Sequence, residues 1–237
     1  MKTALAMIFP HRCAGCGAVT ETEGLCAPCW ADVPFIAGLS CDRCGAPLPG
    51  DAAEAPALCD QCLDAPPPWA RGRAAARYDG TARKLVLALK HGDRTELAPL
   101  LGAWLRQAGD ELLDGDTILV PVPLHWTRRL RRGFNQAALL AREVARRSGA
   151  SVAWEGLVRV RRTPPQGRRS REERAGNVAG AFRADPRWAP VLAGRRVVLV
   201  DDVLASGSTM AAAARALSSV GPEEISVLAL ARVADAP

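Results

Sequence analysis

The run Val197-Val198-Leu199-Val200-Asp201-Asp202-Val203-Leu204-Ala205-Ser206-Gly207-Ser208-Thr209-Met210 decides the fold of this chain. Its four leading aliphatic residues read as a strand buried on both faces, as in a parallel sheet covered by helices. Two carboxylates, Asp201 and Asp202, close that strand. Small and hydroxylated residues follow, then an Ala-rich run from Met210 to Leu217 that favours helix. This order of strand, acidic pair, small loop and helix presents backbone N–H groups and a helix N-terminus to an anion. Gly207 permits the turn, and Ser206, Ser208 and Thr209 offer hydroxyl donors to phosphate oxygens. Carboxylates beside a phosphate site suit a ligand bringing sugar hydroxyls and a divalent cation, so a sugar phosphate with Mg²⁺ is expected. The loop matches neither G-x-x-x-x-G-K-[ST] nor G-x-G-x-x-G, which excludes the two commonest nucleotide motifs here. A plain strand–turn–helix with surface acids would need the acids, the hydroxyl-Gly-x-Thr spacing and the aliphatic run to coincide by chance.

At 237 residues the chain has room for one full-sized domain and a small one. No apolar run approaches the roughly 20 residues that cross a bilayer, so no membrane span is expected. The start has an apolar run of only about six residues before a cysteine pair, too short for a signal peptide, and a cytosolic location is expected. The net charge of +6 is uneven. Residues 1–64 hold three basic side chains (Lys2, Arg12, Arg43) against eight acidic ones, a balance of −5, so the rest carries +11. The basic part is the part with the phosphate loop, which fits an anionic ligand, a nucleic acid, or both.

All eight cysteines form C-x-x-C pairs near the start: Cys13/Cys16, Cys26/Cys29, Cys41/Cys44 and Cys59/Cys62. Each pair points two sulfurs at one centre, and two pairs complete a tetrahedral S₄ set, so two structural, closed Zn²⁺ sites are expected. Pairing in sequence order or interleaved pairing both satisfy the spacing. Four pairs in a cytosolic chain argue against disulfides, and iron–sulfur clusters usually bring three cysteines closer together. Gly17 and Gly45 follow two of the pairs, where a positive φ lets N–H groups reach sulfur. Some 50 residues with few large apolar side chains need such staples to fold.

Asp64-Ala65-Pro66-Pro67-Pro68-Trp69 reads as a stiff connection. The expected division is residues 1–66, a double zinc ribbon, and residues 67–237, an α/β domain. A strand over 73–78 comes first, then helices over 81–90 and 95–107 with apolar faces. A strand over 117–124 ends in prolines and runs into a loop with Arg128, Arg129, Arg131 and Arg132, whose guanidinium forks suit a pyrophosphate. A helix over 135–147 and a strand over 156–162 follow. Residues 163–177 form a polar, charged loop containing Arg168, Arg169, Arg171 and Arg174, read as a mobile lid. The central strand spans 195–203, and 224–233 closes the sheet.

The loop over 200–209 resembles the ribose-phosphate signature of type I phosphoribosyltransferases. Together with 120–136 and 161–182 it makes the chain similar to the competence protein F (ComF) family, with parts matching from Cys13 to Val233. The resemblance implies a mostly parallel twisted sheet with helices on both faces, the type I phosphoribosyltransferase fold, behind a double zinc ribbon. It also implies a link to DNA uptake in transformation. Carried over, Asp201 and Asp202 bind ribose hydroxyls and Mg²⁺; Ala205, Ser206, Gly207, Ser208 and Thr209 cradle the 5-phosphate of phosphoribosyl pyrophosphate. Arg128 to Arg132 meet pyrophosphate, and 163–177, with Arg168 and Arg174, is the hood. The sequence departs at Ala205, where most members carry a hydroxyl, although adenine phosphoribosyltransferases have similar loops with Ala.

Two functions follow. One is a transferase that displaces pyrophosphate by positioning and charge stabilisation, since His11, His91 and His125 make no nucleophilic triad. The other is a non-catalytic module for single-stranded DNA and uptake partners, using arginine rows at 128–147 and 159–174 with tryptophans for stacking.

Overall fold

In the computed structural model, residues 10–51, 56–91, 94–125, 133–161 and 176–233 are described. The elements are α1 (Ala27–Ala31), α2 (Asp60–Asp64), β1 (Gly72–Arg77), α3 (Gly80–His91), α4 (Ala98–Ala108), β2 (Ile118–Pro121), α5 (Gln136–Ser148) and β3 (Ser151–Val152). Then come β4 (Leu157–Arg159), β5 (Phe182–Ala184), α6 (Ala189–Leu192), β6 (Arg196–Leu204), α7 (Ser208–Ser218) and β7 (Glu224–Arg232). Five strands form one parallel sheet in the order β1-β7-β6-β2-β3. The fold is the mostly parallel, helix-covered sheet that the sequence implies.

Side chains alternate across the sheet, and the aliphatic run of β6 feeds both faces. Val198 and Val200 join Leu85 of α3, Leu101 of α4 and Leu140 of α5 on one side. Val197 and Leu199 join Met210, Ala213 and Leu217 of α7 on the other. The antiparallel β4–β5 hairpin lies on this second side, with Leu157, Phe182 and Ala184 in the same cluster. β6 is central, as expected. β7 is not an edge, however: it inserts between β1 and β6, because its alternating Val227 and Leu228 have apolar layers to fill on both faces.

The strand over 117–124 shortens to β2, since Pro121 and Pro123 cannot donate to a ladder. The strand over 156–162 shortens to β4. β3 and α6 are too short to show periodicity, and both were missed in the sequence. Helix 95–107 starts as a 3₁₀ turn, Thr95–Leu97, before α4.

α4 and α5 approach closely at Gly102. A Cβ built there stands 2.3 Å from Glu143 Cβ. Gly102→Ala is therefore expected to push the helices apart and cost about 1–3 kcal/mol, read as a lowered Tm. An unchanged Tm would mean that the helix pair is looser than this geometry.

The cysteine-rich segment is docked rather than tethered. Ile36 N donates to Ala75 O at 3.0 Å and Arg77 N to Pro34 O at 2.9 Å, so residues 34–36 cover the outer edge of β1. Trp30, Phe35 and Trp104 of α4 pack with ring centroids 4.9–6.0 Å apart. Ala14 and Val33 share the core of the α/β domain. No helix among the described residues is long and apolar enough to cross a membrane.

Candidate functional site

β6 brings Asp201 and Asp202 to the carboxyl end of the sheet, and alternation sends adjacent side chains to opposite faces. Asp202 is buried and meets Lys90, in the last turn of α3, at Nζ···Oδ1 2.9 Å. Burial opposes the Lys90 charge, but the Asp202 carboxylate overrides it and raises the lysine pKa above its ordinary value. Asp201 shares the face of Val197 and Leu199, toward the β4–β5 hairpin. Its Oδ1 accepts the Asp202 N–H at 2.9 Å. It is packed round by protein yet keeps an opening to solvent. Burial, and then the charge of Asp202, push its carboxyl up to about 7, with Lys90 and Arg159 pulling the other way. Arg159 lies over the Phe182 ring, 5.2 Å from its centroid.

Lys90 and Arg159 are thus part of the acidic site, and neither stood out in the sequence. Lys90 read as the end of a helix and Arg159 as one of a row. A cation in the last turn of a helix behind the first strand was the available signal, and it is a weak one.

Ala205, Ser206 and Gly207 form the turn, and Ser208 and Thr209 begin α7. Gly207 is the helix N-cap with φ +77° and no side-chain cap, so the first-turn amides are not closed off by a capping side chain. The left-handed backbone favours glycine there, and a Cβ would also stand a tight 3.2 Å from the Trp69 ring. Ser206 Oγ and Ser208 Oγ lie 3.0 Å apart. A cleft of about 480 Å³ opens beside the loop, walled by Pro66–Trp69, Val178–Gly180, Phe182 and Arg215. A larger one of about 750 Å³ lies away from the loop between the ribbon and α4. Its charges, Arg71 and Arg73 with Asp42 and Glu111, already neutralise one another.

Asp201, Asp202 and residues 205–209 therefore come together at one sheet end. Arg128, Arg129, Arg132, Arg168 and Arg174 lie outside the described residues, as does the expected hood loop except for its last two residues. In the described parts of the arginine rows, Arg142, Arg146 and Arg147 surround the buried Glu143 at 3.6, 3.0 and 2.6 Å. Arg161 donates to the carbonyls of Asn177 and Ala179. Trp69 and Trp104 are core residues, whereas Trp30 and Trp154 are exposed.

The cysteines pair in sequence order. Cys13, Cys16, Cys26 and Cys29 form one group and Cys41, Cys44, Cys59 and Cys62 the other, with the sulfurs of each group within 4.8 Å of one another. None is in a disulfide. Cys16–Cys26 and Cys44–Cys59 are both 3.7 Å apart at sulfur. A tetrahedron with Zn–S bonds of about 2.3 Å has edges of roughly 3.8 Å, so each group fits a structural zinc. Cys26 and Cys59 cap α1 and α2, and their N–H groups reach Cys13 Sγ and Cys41 Sγ at 3.2 and 3.4 Å. Gly17 and Gly45 do take positive φ, but their own N–H groups donate to the Cys13 and Cys41 carbonyls.

Two domain families match the chain: the double zinc ribbon domain over residues 4–63 and the phosphoribosyl transferase domain over residues 130–236. Fold and site define a phosphoribosyltransferase-type protein with an N-terminal double zinc ribbon. The DNA utilization protein YhgH of Salmonella typhimurium is 36% identical over 217 residues, 88% of this chain and 90% of that protein. Competence protein F of Haemophilus influenzae is 32% identical over 234 residues, 94% and 98% of the two chains. The chain belongs to the competence protein F family. A stretch of 44 residues, 19% of this chain and 25% of the other, is 52% identical to adenine phosphoribosyltransferase of Mycobacteroides abscessus.

Proposed function

We propose that the protein binds phosphoribosyl pyrophosphate with Mg²⁺ at the end of β6 and works in the handling of incoming DNA. The observation that carries the ligand is the convergence of Asp201, Asp202 and the 205–209 turn on the uncapped start of α7. In this reading the turn amides and hydroxyls hold the 5-phosphate, and the carboxylates hold ribose hydroxyls and the cation. Arg128, Arg129 and Arg132 meet pyrophosphate, and Arg168 and Arg174 belong to the hood. The chain works as two parts divided at residue 66, in the cytosol, where eight unpaired cysteines persist. The names of its relatives, a competence protein and a DNA utilization protein, support the connection to DNA. Direct binding of single-stranded DNA by the described arginines is the second reading: Arg147 is held by Glu143 and Pro99, while Arg142 and Arg146 stay largely exposed and three guanidiniums share one carboxylate.

Calorimetric titration of phosphoribosyl pyrophosphate with Mg²⁺ into the zinc-loaded protein tests the proposal. Binding that needs Mg²⁺ and disappears in Asp201→Asn/Asp202→Asn is the expected result. No heat from the wild type overturns it.

A further inference from the structure

We propose that Arg232 is a positioning residue that ties the turn over 204–207 to the second cysteine group, so that metal at Cys41, Cys44, Cys59 and Cys62 sets the shape of the turn. This rests on the assignment of zinc to that group and concerns the loop proposed above as the phosphate cradle.

Arg232 is the last residue of β7 and is 3% exposed. Its Nη1 donates to Ala205 O at 2.9 Å and Leu204 O at 3.3 Å, and also to Val233 O. Its Nη2 faces Cys44 Sγ at 4.0 Å. Four thiolates around one Zn²⁺ leave a net charge of about −2, and a buried guanidinium beside them is a matching countercharge. The same cation thus holds the carbonyls that start the turn and leans on the metal centre.

A second path reaches the far side of the turn. Arg43 sits between Cys41 and Cys44. Its carbonyl accepts from Trp69 Nε1 at 2.6 Å, and its Nη1 donates to Trp69 O at 2.9 Å. The Trp69 ring then abuts Gly207. The 41–45 knuckle has little freedom to shift. A Cβ on Gly72 would stand 2.5 Å from Arg43 O, and one on Gly45 would stand 2.9 Å from Ala74 N. The turn is therefore gripped at Ala205 and at Gly207 from one cysteine group. The first group docks elsewhere: Arg94 donates to Ala14 O at 3.0 Å and Thr81 to Asp32 at 2.8 Å, both on the α3–α4 side.

Hydrogen–deuterium exchange on the full-length, zinc-loaded chain without ligand tests this. In Arg232→Met, uptake over 203–209 is expected to rise about tenfold, the scale of losing one hydrogen bond to a charged group. Zinc should stay at two per chain, exchange in α5 should stay unchanged, and Arg232→Lys should restore part of the protection. Cys62→Ser, which loses the second zinc, is expected to raise uptake over 203–209 likewise, whereas Cys16→Ser, which loses the first, is not. Unchanged uptake in Arg232→Met overturns the proposal. So does an equal rise in both cysteine variants, which would report general loosening. If Arg232→Met does not fold, the comparison of Cys62→Ser with Cys16→Ser decides. The readout needs no ligand, so failure to bind phosphoribosyl pyrophosphate leaves the result standing and bears on the proposed function alone.

Discussion

Stripping zinc from this protein is expected to unfold residues 10–64 and to lower the Tm of the whole chain. The second ribbon buries little besides its own sulfurs: Cys41, Cys44 and Cys62, with Ala46, Leu48 and Leu58 against them. A cluster of that size cannot offset the ordering of the roughly 25 residues of that ribbon at about 1–2 kcal/mol each. Structural zinc contributes an apparent ~10–16 kcal/mol in small zinc-binding peptides at neutral pH. Without metal the thiols of a group do not ionise together: burial foremost pushes Cys29 and Cys62 up to about 12, whereas, against burial, backbone N–H donors draw Cys13 down to about 6 and the Cys44 thiol draws Cys41 down to about 4. Losing the ribbon also uncovers the edge of β1 and the aromatic trio around Trp104, and an open edge strand invites aggregation. Metal analysis should find two zinc ions per chain, and a strong chelator should remove both with loss of the native melting transition. Retention of that transition in fully metal-free protein would falsify the claim that the ribbon depends on zinc.

Asp201→Asn is expected to stabilise the protein at pH 8 and to change little near pH 4. The folded pKa of about 7 lies above the ordinary aspartate value near 4. A raised carboxylate pKa gives stability that is complete below the unfolded value and is lost as pH rises through the folded one. A shift of that size corresponds to at most about 4 kcal/mol by pH 8. The opening to solvent reduces this, so about 1–2 kcal/mol is expected, or roughly 2–8 °C in Tm. Under the function proposed above, the ionised Asp201 is the form that holds sugar hydroxyls and a cation, so Mg²⁺-dependent binding by the wild type should strengthen from pH 6 to 8. Parallel Tm–pH curves for the wild type and the Asn variant would show that Asp201 does not titrate there. Asp201 is thus held at a cost in stability, a pattern common among groups at sites that bind charge.

The parts of the site that neighbours in sequence can specify were legible. Val197 to Val200 declared a two-sided strand, and the hydroxyl-Gly-x-Thr turn declared a helix start, because both depend on local propensity and on the backbone freedom of Gly207. The four C-x-x-C spacings declared two S₄ groups for the same reason, since each hairpin is a local object. Which hairpins pair was not legible, because the spacers allow either arrangement. β3 and α6 were missed because two and four residues are too few to show a period. Of the arginine row over 128–147, expected to face anions, the described Arg142, Arg146 and Arg147 gather around Glu143, a residue whose burial depends on Gly102 of another helix.

By itself, then, the sequence determined the mostly parallel, helix-covered architecture, the small-residue turn at 205–209, and the four C-x-x-C hairpins. Tertiary structure alone decided what stands around them. Lys90 meets Asp202 because α3 packs on the face of the sheet to which Asp202 points, the Arg159 charge acts on Asp201 from the hairpin on the other face, and Arg232 lies between Cys44 and Ala205. Local pattern carries propensity and periodicity, which act over a few residues. Burial, charge partnership and close approach act through space, between Cys44 and Arg232 across 188 residues of chain, and only the packed fold brings such pairs together.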